Sequence, residues 1–153
     1  MVFCYHRILD DNQVVKVDER LSSNSQFHDF NVNVSDFKKQ MNYLAAHHIK
    51  VISTAQMVQM VDQRQAIRGH YVVLTFDDID RTTVDNAAPI MLKHHYPFTI
   101  LVITGNTGEY RDGTKLATWP QILALQKRAG DKRAYAQHAL PHRQRYPRLQ
   151  CAT

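Results

Sequence analysis

An α/β fold, with a mostly parallel sheet and covering helices, is predicted by three features of this 153-residue chain. Two runs, Tyr71–Phe76 and Phe98–Ile103, are continuously apolar and rich in β-branched residues, as strands buried on both faces are. Segments of helical period alternate with the strand candidates, and such alternation implies parallel strands with helices packed on them. The pattern then stops at Gly130. The length suits one domain with its own core, yet falls short of a complete α/β barrel, which takes about 250 residues.

The elements follow in order. Val2–Tyr5 is a short apolar run and reads as a buried strand. Residues 10–33 are rich in Asn, Ser and Asp without periodicity, and read as a long polar loop. Ser35 is an N-cap candidate for a helix whose apolar stripe is Phe37, Met41, Leu44 and Ala45. Ile49–Ile52 is a strand candidate, and Ser53 caps a helix carrying Met57, Met60 and Val61. After strand Tyr71–Phe76, one helix is expected from Thr82 to His94, with Val84, Ala87, Ala88, Met91 and Leu92 apolar. Past strand Phe98–Ile103 and a glycine-bearing loop, Thr118 and Pro120 open a helix that Gly130 ends.

Composition narrows the function classes. Hydrophobic residues make up 44% of the chain, which argues against disorder. No run approaches the roughly 20 apolar residues of a membrane span, and the N-terminus lacks a secretory signal. The net charge is +5. Of 19 basic residues, five lie in 132–153 and 14 in 1–131, where they balance all 14 acidic residues. The excess therefore belongs to the tail. A nucleic-acid module built on Arg143, Arg145, Arg148, Tyr135 and Tyr146 is the rival class, and it is set aside. Cys4 and Cys151, at opposite ends, offer no metal-type spacing.

The sharpest chemical feature is TFDDID, Thr75–Asp80, at the end of the most apolar strand. Ligands in parallel sheets sit at the carboxyl ends of strands. Carboxylates there are costly unless they meet a cation or a partner. One can hold a metal while its neighbour stays ionised as a general base. The structural alternative is that Asp78 or Asp80 caps the next helix and Asp77 is solvated. His6, which ends the first strand as Asp77 ends the third, is a candidate acid or base of the same site, or a structural histidine. The pairs His47–His48 and His94–His95 suit helix C-termini. His138 and His142 are four apart, a spacing that can ligate a metal, but they lie in the patternless tail.

Together YHRI near the start, TFDD after an apolar strand, TWPQIL before a helix and FKKQMNYLAAHHIKVIS between them resemble polysaccharide deacetylases of the NodB-homology class. Cell-surface poly-N-acetylglucosamine deacetylases of biofilm-forming bacteria are the most similar group. The resemblance covers about residues 2–130 and implies a partial (β/α) barrel. It further implies a hydrolase that removes N-acetyl groups with a divalent metal, zinc first, held by Asp, His and His. Carried over, Asp77 resembles the catalytic base, Asp78 the metal-binding Asp, His6 the general acid and Trp119 a residue near the substrate pocket. The implied partner is a polysaccharide, with no nucleic acid and no membrane span, and the implied location is the cell surface or beyond. Oligomeric state is left open.

The family's two His ligands come from a motif like HTHxxH on a short strand after the TWPQ helix. No such motif is evident past Gly130, so the metal is expected not to be retained. A reading frame displaced near residue 132 accounts for the lost period, the lost motif and the charge at once. The shifted frame of Arg133–Ala139 is able to encode VHTHNM. Residues 1–131 are thus expected to be the N-terminal part of the deacetylase domain, and 132–153 an unstructured or out-of-frame basic tail. The product is expected to be weakly active or inactive, with a sugar-binding pseudoenzyme as the alternative.

Overall fold

The computed structural model describes residues 1–12, 31–111, 114–130 and 134–139. Its principal sheet is parallel. Strand β1 (Val2–Tyr5) pairs with β5 (Tyr71–Asp77), β5 with β6 (Phe98–Ile103), and β6 with β9 (Ala134–Ala139). Strand β4 (Lys50–Val51) adds to the start of β5. The α/β class with mostly parallel strands is the one the alternation implies.

Strand β9 corrects one expectation. Residues 134–139 pair in unbroken register with Phe98–Ile103, where a patternless tail was anticipated. The segment AYAQHA carries no apolar run, so its strand character comes from the backbone row offered by β6 rather than from local propensity. The rest of the tail lies outside the described residues, as do residues 13–30 of the polar loop.

At the margins of that loop, β2 (Arg7–Leu9) and β3 (Asn31–Asn33) form a small parallel pair. Each is three residues long, too short for a period to be visible. Helix α1 (Val34–Ala46) begins after Asn33, one position before the serine expected to cap it. The orphan N–H groups at its start are met from a distance: Ser35 N and Oγ both donate to the Asp11 carboxylate, at 2.8 and 2.7 Å. Helix α2 (Thr54–Asp62) has the N-cap expected at Ser53, and Gln56 closes it into a capping box.

The single helix expected over 82–94 is instead a wide π-type turn, Thr83–Ala87, running into α3 (Ala88–Lys93). Pro89 has no N–H to give to the carbonyl four residues back, so regular α bonding starts only around it. Helix α4 (Trp119–Ala129) ends at Gly130, whose φ of 72° is the left-handed form a stop requires. His48 and His95 take left-handed conformations just past α1 and α3, at φ 53° and 56°. His47 Nδ1 lies 3.0 Å from the Tyr43 carbonyl, so the histidine pairs do close helices.

One face of the sheet and the helices enclose the core. Phe37, Met41, Leu74, Phe76 and Met91 are fully buried. Tyr5 stacks on Phe76 at 5.3 Å between ring centroids and meets Phe37 edge-on at 5.1 Å. Side chains alternate along strands, so Tyr5, Leu74, Phe76 and Ile100 face this core while Cys4, Thr75, Asp77 and Thr99 face the other way. Among the described residues no helix is long and apolar enough to cross a membrane.

Candidate active site

Register brings the sequence-predicted residues to one end of the sheet. Tyr5 is the Cα partner of Phe76. His6 and Asp77 are therefore the next residues along two adjacent parallel strands, which run about 4.8 Å apart. Both are half-buried. One carboxylate oxygen of Asp77, Oδ1, is buried without a hydrogen-bond partner, which is costly unless a proton or cation reaches it. Asp78 is exposed.

The chain leaves β5 through an unusual turn. Asp78 and Ile79 both take left-handed conformations, at φ 65° and 43°. For a β-branched residue such as Ile79 this is a true outlier, costing on the order of 1–3 kcal/mol. Ile79 is held there because its side chain is fully buried and its carbonyl accepts from Ala117 N at 3.0 Å.

Asp80 settles which carboxylate caps the helix start. Its Oδ1 accepts from Thr82 N at 2.8 Å and from Thr82 Oγ1 at 2.6 Å, and its Oδ2 accepts from Thr114 Oγ1. The Arg7 guanidinium stands 3.8 Å from the same Oδ2. Asp80 is only 2% exposed and fully partnered, while Asp77 Oδ1 has no partner and Asp78 is exposed.

The Trp119 segment is docked on this turn. Asp80 bridges to Leu116, and Ala117 N bonds Ile79 O. Thr118 and Gln121 form the capping box that starts α4, placing Trp119 at its first position, 38% exposed. Gly108 packs beneath: its φ is 79°, and a Cβ there would stand 3.2 Å from Thr118 Cγ2. A short hairpin, β7 (Tyr110–Arg111) and β8 (Thr114–Lys115), flanks the same end.

Sequence reading passed over Cys4. It lies two residues before His6 on the face that carries Asp77. Burial, and then the nearby Asp77 and Asp78, push the thiol up from its ordinary value of 9.0, although Thr75 pulls the other way. The period-two spacing from His6 was the available signal.

Metal fit is partial. Among the described residues no three His, Cys, Asp or Glu side chains gather as a metal cluster. The orphaned Asp77 oxygen and the exposed Asp78 carboxylate supply hard donors at one point. Asp77, Leu101 and Gln137 lie level across β5, β6 and β9.

A sequence model described as polysaccharide deacetylase matches residues 64–147, which takes in β9 and both His138 and His142. The chain is 29% identical over 104 residues to a poly-β-1,6-N-acetyl-D-glucosamine N-deacetylase of Staphylococcus epidermidis, and 30% identical over 105 residues to one of Staphylococcus aureus. These alignments take in 68% and 69% of this chain, which spans only 36% of the length of either relative. Its backbone superposes on that of IcaB from Ammonifex degensii with a TM-score of 0.71 at 22% identity, over 90% of this chain and 51% of the other. It superposes on the Streptococcus pyogenes deacetylase PplD with a TM-score of 0.67, also at 22% identity, over 90% of this chain and 54% of that one.

Proposed function

The chain belongs to the polysaccharide deacetylase family, and on that premise we propose that it is part of a metal-dependent hydrolase that removes N-acetyl groups from poly-β-1,6-N-acetylglucosamine at or outside the cell surface. The observation that carries the reading is the placement of His6 and Asp77 one residue past the Tyr5–Phe76 partners, at the carboxyl ends of adjacent strands, with an Asp77 oxygen buried and unpartnered.

In this reading Asp77 takes a proton from the attacking water, which its unpartnered oxygen is free to do. His6 gives a proton to the departing amine. General acid–base help of this kind is worth about 10²–10⁴-fold. Trp119 offers an exposed aromatic surface beside the strand ends for a sugar ring. Asp78 would supply one ligand of the divalent metal, zinc first, and three protein ligands suit a catalytic site. When bound, the metal supplies a low-pKa water and a positive charge for the developing oxyanion.

The experiment is acetate release from N-acetylglucosamine oligomers by the 153-residue chain with added zinc. Asp77→Asn is expected to lower kcat by about 10²–10⁴-fold while the protein stays folded. No acetate release from folded, zinc-loaded chain would sink the reading. A second reading is favoured by the concentration of the +5 charge in the last 22 residues, 132–153. There the tail is the product of a displaced frame, the domain proper is 1–131, and the chain binds sugar without metal or turnover. Zinc binding abolished by Asp78→Ala favours the first reading. Zinc indifference, with an HTH-type motif in the neighbouring frame of the gene, favours the second.

A further inference from the structure

We infer that Asp80 is a positioning residue of this site, a buried carboxylate that pins the Asp77–Asp78 turn, the His6–Arg7 corner and the β7–β8 hairpin to one point. The inference rests on the deacetylase reading and goes beyond it, since Asp80 touches no reacting atom there.

Three segments far apart in sequence converge on one side chain. Arg7 reaches Oδ2 at 3.8 Å from the residue after His6. Thr82 donates twice to Oδ1, at 2.8 and 2.6 Å, and its Oγ1 also accepts from Ile8 N at 3.0 Å. Thr114 brings the hairpin to Oδ2. The Asp80 backbone adds a bond from Thr83 N at 2.9 Å, and Thr83 Oγ1 in turn contacts the His6 carbonyl at 3.5 Å. The two left-handed residues just before Asp80 relax unless both sides of the turn are tied. The ties on the downstream side run through Asp80 and its neighbour contacts at Leu116 and Ala117. Loss of the Asp80 charge therefore frees the turn, and with it the aim of Asp77.

The test uses the whole chain with Cys151→Ser, so that Cys4 is the one remaining thiol. Cys4 stands on the face that carries Asp77, whose charge helps push the thiol up, so its alkylation rate reports where that carboxylate sits. Asp80→Asn keeps size but places an amide among Thr82, Thr114 and Arg7. It is expected to lower kcat by about 10²-fold, the scale of a 1 Å misplacement. KM should stay within about twofold, and no further loss should appear in combination with Asp77→Asn. Cys4 alkylation should rise toward the rate seen in Asp77→Asn. Thr114→Val, which removes one tie only, is expected to move both readouts in the same direction by less. A folded Asp80→Asn protein with wild-type kcat and Cys4 reactivity overturns the inference, as does a kcat loss that adds to that of Asp77→Asn. If Asp80→Asn does not fold, Thr114→Val decides, and unchanged Cys4 reactivity there overturns it. Absence of acetate release from the parent chain defeats the deacetylase reading alone, and the alkylation comparison still decides the role of Asp80.

Discussion

Asp77, Asp78 and Asp80 share a six-residue motif and have three different fates. Sequence marked the motif, and it marked His6, because charge at the end of an apolar strand is conspicuous. It left open whether Asp78 or Asp80 caps the helix, since both precede a threonine-rich helix start. Only the left-handed turn at Asp78 and Ile79 decides, by carrying Asp78 outward and Asp80 inward. Tyr5, the neighbour of His6, supplies a pH prediction. Burial pushes its phenol up to about 12, from an ordinary 10.0. The folded state then holds a proton that the unfolded chain has lost, so stability is full below pH 10 and falls as pH rises from about 10 toward 12. Urea unfolding across that range is expected to show the decline, and Tyr5→Phe to flatten it, leaving the smaller contribution of Tyr96. An unchanged slope in Tyr5→Phe would assign the decline elsewhere.

Elements with strong periodicity or a long apolar run were legible: α1, β5, β6 and α4 lie where the pattern puts them. Those missed are made by partners rather than by local sequence. Strands β2, β3 and β9 are short or polar and exist through the rows beside them. The start of α1 is another case, because Ser35 is not its cap and the acceptor, Asp11, lies 24 residues away. Asp11→Ala is therefore expected to cost about 1 kcal/mol of stability, the usual size of a lost helix cap. Chemical denaturation measures it, and a change within 0.3 kcal/mol or so would show that water replaces the carboxylate freely.

Across the whole molecule, the described sheet runs β1-β5-β6-β9 and does not close. Its β1 edge begins with Val2, half exposed, beside an apolar groove that includes Tyr43, Met57, Val61 and Tyr71. An uncovered strand edge next to apolar surface invites pairing between chains. Self-association that grows with concentration is the expected behaviour in light scattering. Val2→Lys, a charge on that edge, is expected to reduce it without altering the circular dichroism spectrum. Equal scattering from both proteins would place the contact elsewhere. The fold class was readable from alternation alone.

The alternation along β1 and β5 has a further consequence. Each chemical residue is preceded by a core aromatic, Tyr5 before His6 and Phe76 before Asp77, and the two rings are stacked on each other. Packing and reactivity are therefore inherited on interleaved positions. Substitutions at 4, 75, 77 and 99 are able to change what the face does while the rings keep the strands in register. A shift by one residue would exchange the two sets completely. The same scaffold is thus open to new side chains at its strand ends and closed to any slippage that would carry them there.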